Sequence, residues 1–345
     1  MNAHRSVLGR LRPTVQRMLS ATRLSGTPDH RPQCYTAPMP RRPQLGQGSL
    51  FETSRVQERA ASTERSYDHP QLFLGTSAFT ADGWAGTFYP PGMKQTEYLA
   101  HYARTFRTVE IDSTYYGPPA ASTVESWYRK TPADFIFAAK VPQVVTHEKV
   151  LKDCGPDFRE FMERITLLKE KLGPLLFQFS RFDKFQFNSS REFIARLRPF
   201  LETLPQSRRY VVELRNPLWL NTELTGTLRE FNIALALTDT SFLPRPWEFD
   251  KHHDIITADF VYVRWLGNRK EIEARTTTWD KSIIDRTNDL REWVKLCRQF
   301  VAERKVKRLF LFGNNHYQGH GPDTVKTFWR LWNEDRPTKI SRGPD

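Results

Sequence analysis

The sequence predicts a single (β/α)8 barrel of the TIM type, its sixth helix reduced or missing, behind a disordered N-terminal tail. Three observations carry that prediction. Eight short runs rich in β-branched and aromatic residues recur from Leu72 onward, and amphipathic helix-length segments separate most of them. The whole repeat fills a length close to the ~250 residues typical of a closed barrel. Near-continuous apolar strands alternating with helices imply a parallel sheet covered by helices. A doubly wound open sheet is the structural alternative.

Taken in order, the first strand is Leu72–Gly75, followed by the helix Gln95–Phe106. The second strand, Thr108–Asp112, leads to Ala120–Lys130, and the third, Phe135–Lys140, leads to Asp157–Leu172. The fourth and fifth strands, Leu175–Phe179 and Tyr210–Arg215, precede the helices Ser190–Leu204 and Thr222–Phe231. The sixth strand, Ile233–Asp239, is followed by Pro244, Pro246, Trp247 and a His252-His253-Asp254 cluster without helical period, so its helix is expected to be vestigial. The seventh strand, Phe260–Leu266, precedes a helix over Lys281–Arg304, and the eighth, Arg308–Gly313, precedes Pro322–Asn333.

Helix-to-strand turns are mostly tight, such as Leu172-Gly-Pro-Leu175. Four connections leaving strands are long: Thr76–Lys94, Val141–Pro156, Thr240–Asp259 and Gly267–Asp280. All four open at strand C-terminal ends, the face where barrels carry their sites.

Residues 1–65 read as a basic Pro/Arg/Ser-rich tail, with the barrel domain assigned to 66–345. The first 70 residues hold eleven Arg and five acids, so +6 of the net charge of +13 sits there. Such composition cannot bury enough apolar surface to offset the entropy of ordering. A short basic helix over Val7–Leu19 would suit a mitochondrial transit peptide; an untidy extension of a cytoplasmic protein is the plainer reading. The longest apolar runs are strand-length, so a membrane span of ~20 residues is not expected. Cys34, Cys154 and Cys297 lack metal-type spacing and suit a reducing compartment.

Charged residues at barrel strand ends need a reason. Glu110 and Asp112 lie two apart on one strand and share a face, as do Glu213 and Arg215. Lys140 ends the third strand, Gln178 lies in the fourth, Asp239 ends the sixth and Arg264 lies in the seventh. Asn314, Asn315 and His320 follow the eighth, His147 follows the third, and Ser77, Trp84 and Tyr115 follow the first two. One reading is a neutral network that holds the barrel's top layer. The other has Arg264 and Arg215 clamping an anion. Glu213 is then the first choice for general base or acid, with Glu110, Asp239 and His147 beside it and Lys140 as a Schiff-base candidate. Asn314, Asn315, His320 and Ser77 would hydrogen-bond the ligand, and Trp84 and Tyr115 would stack on it. Neither an HExxH pair nor a nucleotide-binding Gly-rich loop is present, so no cofactor is predicted. A divalent metal is the alternative that the carboxylates and His residues leave open.

The same residues carry a resemblance. Gly75-Thr-Ser-Ala-Phe with Gly83-Trp-Ala-Gly-Thr-Phe-Tyr-Pro90, Thr108-Val-Glu-Ile-Asp-Ser-Thr-Tyr-Tyr116 and Phe135-Ile-Phe-Ala-Ala-Lys140 resemble motifs of the family called domain of unknown function 72, or YecE-like. So do Thr146-His147, Val212-Glu-Leu-Arg215 with Trp219, Tyr262-Val-Arg264, and Asn314-Asn315 with Gly319-His320. Ala78-Phe79 stand where Gly-Trp is usual, Asp112 where Asn is common, and Tyr115 where Phe is common. The resemblance implies a TIM-type barrel without an established activity. The residues favour an enzyme acting by acid–base chemistry on a small polar anion, such as a sugar phosphate or hydroxy or keto acid. A nucleic-acid-binding or endonuclease-like barrel and a non-catalytic ligand sensor are the alternatives.

Overall fold

The computed structural model describes residues 67–302 and 306–334. The predicted tail and its Val7–Leu19 helix lie outside them. Eight parallel strands form one sheet in the order β1-β8-β7-β6-β5-β4-β3-β2. They are β1 Leu72–Thr76, β2 Thr108–Ile111, β3 Ile136–Lys140, β4 Leu172–Gln178, β5 Tyr210–Glu213, β6 Ala234–Thr240, β7 Phe260–Gly267 and β8 Arg308–Gly313. Helices α1 (Gln95–Thr105), α2 (Ala121–Arg129), α3 (Gly155–Ile165), α4 (Ser190–Glu202) and α5 (Thr222–Glu230) alternate with the first six strands.

The sixth crossover holds only one turn, α6 (Pro246–Phe249). Pro246 opens it, and no apolar period continues it. The loop after β7 contains a short helix that periodicity did not reveal, α7 (Arg269–Glu273), capped by the Asn268 side chain accepting from the Glu271 amide at 3.4 Å. The next helix, α8 (Thr287–Ala302), starts six residues later than expected, because Ile283 and Ile284 donate backbone bonds to Gln318 instead of to a helix. After β8 come α9 (Asn315–Gln318) and α10 (Gly321–Glu334). The third helix is also shorter than predicted. Lys169 adopts φ 52°, a 3-10 segment replaces the last turns, and β4 begins at Leu172, absorbing the expected Gly-Pro turn.

Strand alternation sorts the core into two populations. Phe73, Ala138, Leu176, Val211, Ala234, Ala236, Phe260, Tyr262, Phe310 and Phe312 pack inside the barrel. The opposite faces, with Leu74, Val109, Phe137, Phe177, Leu237, Val263 and Leu311 among them, pack against the helices.

Closure is unequal around the barrel. Seven neighbouring strand pairs share backbone registers, whereas β1 and β2 meet without one. There the Tyr102 hydroxyl of α1 bridges the seam: it accepts from the Thr76 amide at 2.8 Å and donates to the Thr108 carbonyl at 3.1 Å. Gly75 makes that approach possible, since a Cβ at this position would overlap the Thr108 carbonyl. Tyr102→Phe strands a buried amide and a buried carbonyl, so it should cost about 1–3 kcal/mol. Urea denaturation monitored by circular dichroism measures that loss, and an unchanged midpoint would refute the bridging role.

Candidate functional site

Extending the interior alternation to the strand C-termini places Glu110, Lys140, Gln178, Glu213, Thr238 and Arg264 on the inner face, above the apolar layers. Asp112 and Arg215, two residues beyond Glu110 and Glu213, continue the same faces. Glu110, Glu213 and Arg264 are buried at this depth, so each of these charges must find partners within the protein.

Arg264 organises them. Its side chain is almost wholly buried, and it donates from Nε and Nη2 to Glu110 Oε1 at 3.1 and 2.7 Å and from Nη1 to Glu213 Oε2 at 2.7 Å. Tyr262 donates its hydroxyl to Glu110 Oε2 at 2.6 Å, and Arg215 Nε donates to Glu213 Oε1 at 3.1 Å. Both oxygens of each fully buried glutamate are therefore engaged. Nearer the mouth, Asp112 Oδ1 stands 3.6 Å from Lys140 Nζ and 3.7 Å from Arg264 Nη2. Three carboxylates and three cations balance within the cluster.

The two glutamates are tuned in opposite directions. Burial raises Glu110, outweighing the opposing Arg264 guanidinium. Burial raises Glu213 as well, but Arg264 and Arg215 together hold it below the ordinary value of 4.5. A carboxylate saturated by two guanidiniums and lowered in this way is a weak proton acceptor. Burial lowers Lys140, against the pull of Asp112. Burial also lowers His147, and the positive charges of Lys140 and Arg215 add to it. His147 sits on a π-helical turn over Val144–Glu148, its Nδ1 2.8 Å from Thr146 Oγ1 and its ring edge-on to Tyr115 at 5.1 Å.

Above the cluster opens a cleft of about 560 Å³, within the range of small-molecule sites. Five cations line it (Lys140, Arg215, Arg264, Arg269 and Lys270) against one carboxylate, Asp112. Gln178, Asn268, Asn314 and His316 add polar groups. Gln178 is 5% exposed and its Oε1 has no hydrogen-bond partner among the described residues.

The remaining predicted residues lie elsewhere or are already engaged. Asp239 falls on the outer face of β6 with Leu235 and Leu237, accepting from Trp293 Nε1 and Tyr317 Oη, both at 2.8 Å, and from Arg245. Asn315 Oδ1 accepts from Trp84 Nε1 at 3.2 Å and from the Gly321 amide at 2.8 Å, and Trp84 is buried. His320 is buried too, with Nδ1 3.1 Å from Asp323. Asn314 caps α9 and donates to Ser77 at 3.3 Å while still lining the cleft. Tyr115 lies 4.4 Å from Lys140 Nζ, which sits over its ring. Thus Lys140, Arg215, Arg264 and Asn314 line the cleft, Glu110 and Glu213 lie buried against Arg264, and Tyr115 packs between Lys140 and His147; Asp239, Trp84, Asn315, His320 and Ser77 do not line the cleft.

Sequence reasoning did not single out Arg269 or Lys270, and it noted Tyr262 only within the Tyr262-Val-Arg264 motif, without a role. Tyr262 shares the parity of Arg264, two residues on, which is the signal that marks it. For Arg269 and Lys270 the Asn268…Glu271 capping pattern gave the only hint of a helix over the mouth. Among the described residues no three His, Cys, Asp or Glu side chains converge as a metal-binding group. Nor is any described helix long and apolar enough to cross a membrane.

The barrel and its motifs match known proteins. The model of the family described as "Protein of unknown function DUF72" matches residues 73–344. UPF0759 protein YecE of Escherichia coli K12 is 34% identical over 119 residues, 34% of this chain and 42% of that relative. UPF0759 protein YunF of Bacillus subtilis 168 is 32% identical over 124 residues, 34% of this chain and 43% of that relative. The chain thus spans about two-fifths of the length of these curated relatives. A solved DUF72 family protein from Thermotoga maritima MSB8 superposes with a TM-score of 0.61 at 28% identity, over 76% of this chain and 98% of that one. Another, from Enterococcus faecalis V583, shares the fold with a TM-score of 0.55 at 21% identity, over 77% of this chain and 98% of that one. With the family model spanning the barrel from its first strand to its last helix, this chain belongs to the DUF72 family.

Proposed function

We propose that the protein is an enzyme acting by acid–base chemistry on a small polar anion, of the sugar-phosphate or hydroxy- or keto-acid class, bound in the cleft at the strand C-termini. The observation that carries this reading is the imbalance of the lining, five cations to one carboxylate. The deep cluster is neutral in itself and Arg269 pairs with Glu273 at 2.8 Å, so the excess positive charge at the mouth is that of Lys270. Arg215 offers a guanidinium fork suited to phosphate or carboxylate. Glu110 and Glu213, sealed and saturated, hold the two arginines in place. The proton-moving groups are Lys140 and Asp112, which line the cleft, and His147, which packs on Tyr115 beside Lys140. That division assigns Glu213 a positioning role instead of the base role its sequence suggested.

A thermal-shift screen of the full chain against inorganic phosphate and phosphorylated and carboxylated metabolites tests the reading. A ligand at ~100 times its Kd adds about 2.7 kcal/mol, a rise of a few degrees for a domain of this size. Arg215→Ala, altering a side chain only partly buried, should abolish the rise. If no small anion shifts the wild type, or if only short DNA does, the small-anion reading is wrong.

A further inference from the structure

We infer that Lys140 is a nucleophile that forms an imine with the carbonyl carbon of an anionic substrate bound in the cleft. The inference deepens the preceding section and rests on its reading of the cleft as an anion site. It begins from a contrast between two buried lysines. Lys171, 4% exposed, donates from Nζ to the carbonyls of Tyr128 and Thr131 at 2.6 and 2.7 Å and to Thr131 Oγ1 at 3.2 Å. Three acceptors for three hydrogens make it a saturated structural cation. Lys140 has a side chain 12% exposed, yet its Nζ makes no hydrogen bond among the described residues. It has only Asp112 Oδ1 at 3.6 Å and the Tyr115 ring at 4.4 Å.

An ammonium that is desolvated, under-bonded and beside the Arg264 guanidinium is the kind of lysine that becomes a nucleophile. Burial lowers its pKa, and Arg264 adds to that while Asp112, Glu110 and Glu213 oppose it. Unlike Lys171, it lines the cleft.

Its neighbours match the needs of the reaction. Asp112 Oδ1 lacks a hydrogen-bond partner and lies beside the ammonium, so it can take the first proton. The neutral amine then attacks the carbonyl carbon: a C–N bond forms, the C=O π pair moves to oxygen, and that oxygen takes one of the two protons of the new cationic nitrogen to give a neutral carbinolamine. Asp112 returns its proton to the resulting hydroxyl, which leaves as water while the nitrogen lone pair closes the C=N bond. The sum is a carbonyl and a Lys–NH3⁺ giving a Lys–NH⁺= imine and water, with no outside acid, base or redox partner. Gln178 Oε1, buried at the floor and unpartnered, can accept from a hydroxyl of the substrate. Arg215, Arg269 and Lys270 are placed for its anionic end. A hydroxy- or keto-carbonyl compound bearing a carboxylate or phosphate satisfies all three requirements.

The experiment is borohydride reduction of the full-length wild type at neutral pH with pyruvate, glyoxylate or dihydroxyacetone phosphate, followed by peptide mapping. In parallel, the same three probes are tested for a thermal shift. The expected result is a reduced adduct on Lys140 at about tenfold the yield on any other lysine, with Lys171 unmodified and the enrichment absent in Lys140→Met. Mapping in the wild type keeps the outcome interpretable even if the variant folds poorly. A thermal shift that Arg215→Ala abolishes, without a Lys140 adduct, overturns the imine and leaves the anion site standing. Adducts spread evenly over surface lysines overturn it too. Neither binding nor adduct with any probe overturns the imine and counts against the anion reading as well.

Discussion

Replacing Arg264 by methionine should destabilise the barrel by about 3–5 kcal/mol, the cost of leaving buried carboxylates without their cation. Arg264 supplies three of the charge-assisted bonds to Glu110 and Glu213, and neither glutamate can reach water. Removal of the guanidinium must push both carboxyl groups upward, so the destabilisation should depend on pH. The Glu213 carboxyl of the wild type lies below 4.5, so the stability it contributes is present above that value and is lost as pH falls through its folded pKa. Glu110, held above the ordinary value, contributes in the opposite sense, being favourable below it and less so as pH rises. In the variant both groups favour protonation. The gap between wild type and variant should therefore be widest near neutrality and shrink toward pH 4. Urea titrations across that range measure it. A double variant, Arg264→Met with Glu213→Gln, should recover part of the loss, because the residues share a bond and their effects are not additive. A small, pH-independent change would mean the cluster is wetter than its geometry implies.

Asp239→Leu should be comparably damaging, by about 3–5 kcal/mol, for a different reason. This carboxylate joins β6 to three other segments through Trp293 on α8, Tyr317 on α9 and Arg245 before α6. Burial pushes its pKa up, against the Trp293 and Tyr317 donors and the Arg245 charge. Leucine would leave those donors facing an apolar group. Asp239→Asn should fare little better, because one oxygen becomes a donor aimed at donors. Both variants should lower the denaturation midpoint while leaving anion binding intact in the folded fraction. Loss of binding with unchanged stability would instead return Asp239 to the candidate site.

The barrel was readable because its eight strands announce themselves by composition, and the inward charges because two-residue spacing survives folding. Glu110 with Asp112 and Glu213 with Arg215 share faces by covalent geometry alone. The same rule marks Asp239 as outward. In Ala234-Leu-Ala-Leu-Thr-Asp239 the alanines fit the crowded barrel interior and the leucines reach for helices, so Asp239 follows the leucines. What periodicity could not supply were contacts made by loops. The placement of α7 over the mouth and the locking of Asn315 onto Trp84 and Gly321 depend on distant backbone. The end of α3 was not legible because its apolar pattern runs on through Leu167 and Leu168, which belong to a 3-10 segment instead of the α-helix.

A cylinder joined by seven ladders and a tyrosine hydroxyl is a rolled sheet whose two edges meet through a side chain from a neighbouring helix. Edge strands ordinarily invite pairing by foreign chains; here each edge is shielded by the other. Glu110 rides on one lip of the β1–β2 seam and Ser77 follows the other. The seam thereby places the carboxylate that orients Arg264 on a strand held by a backbone ladder on one side and by side-chain packing on the other.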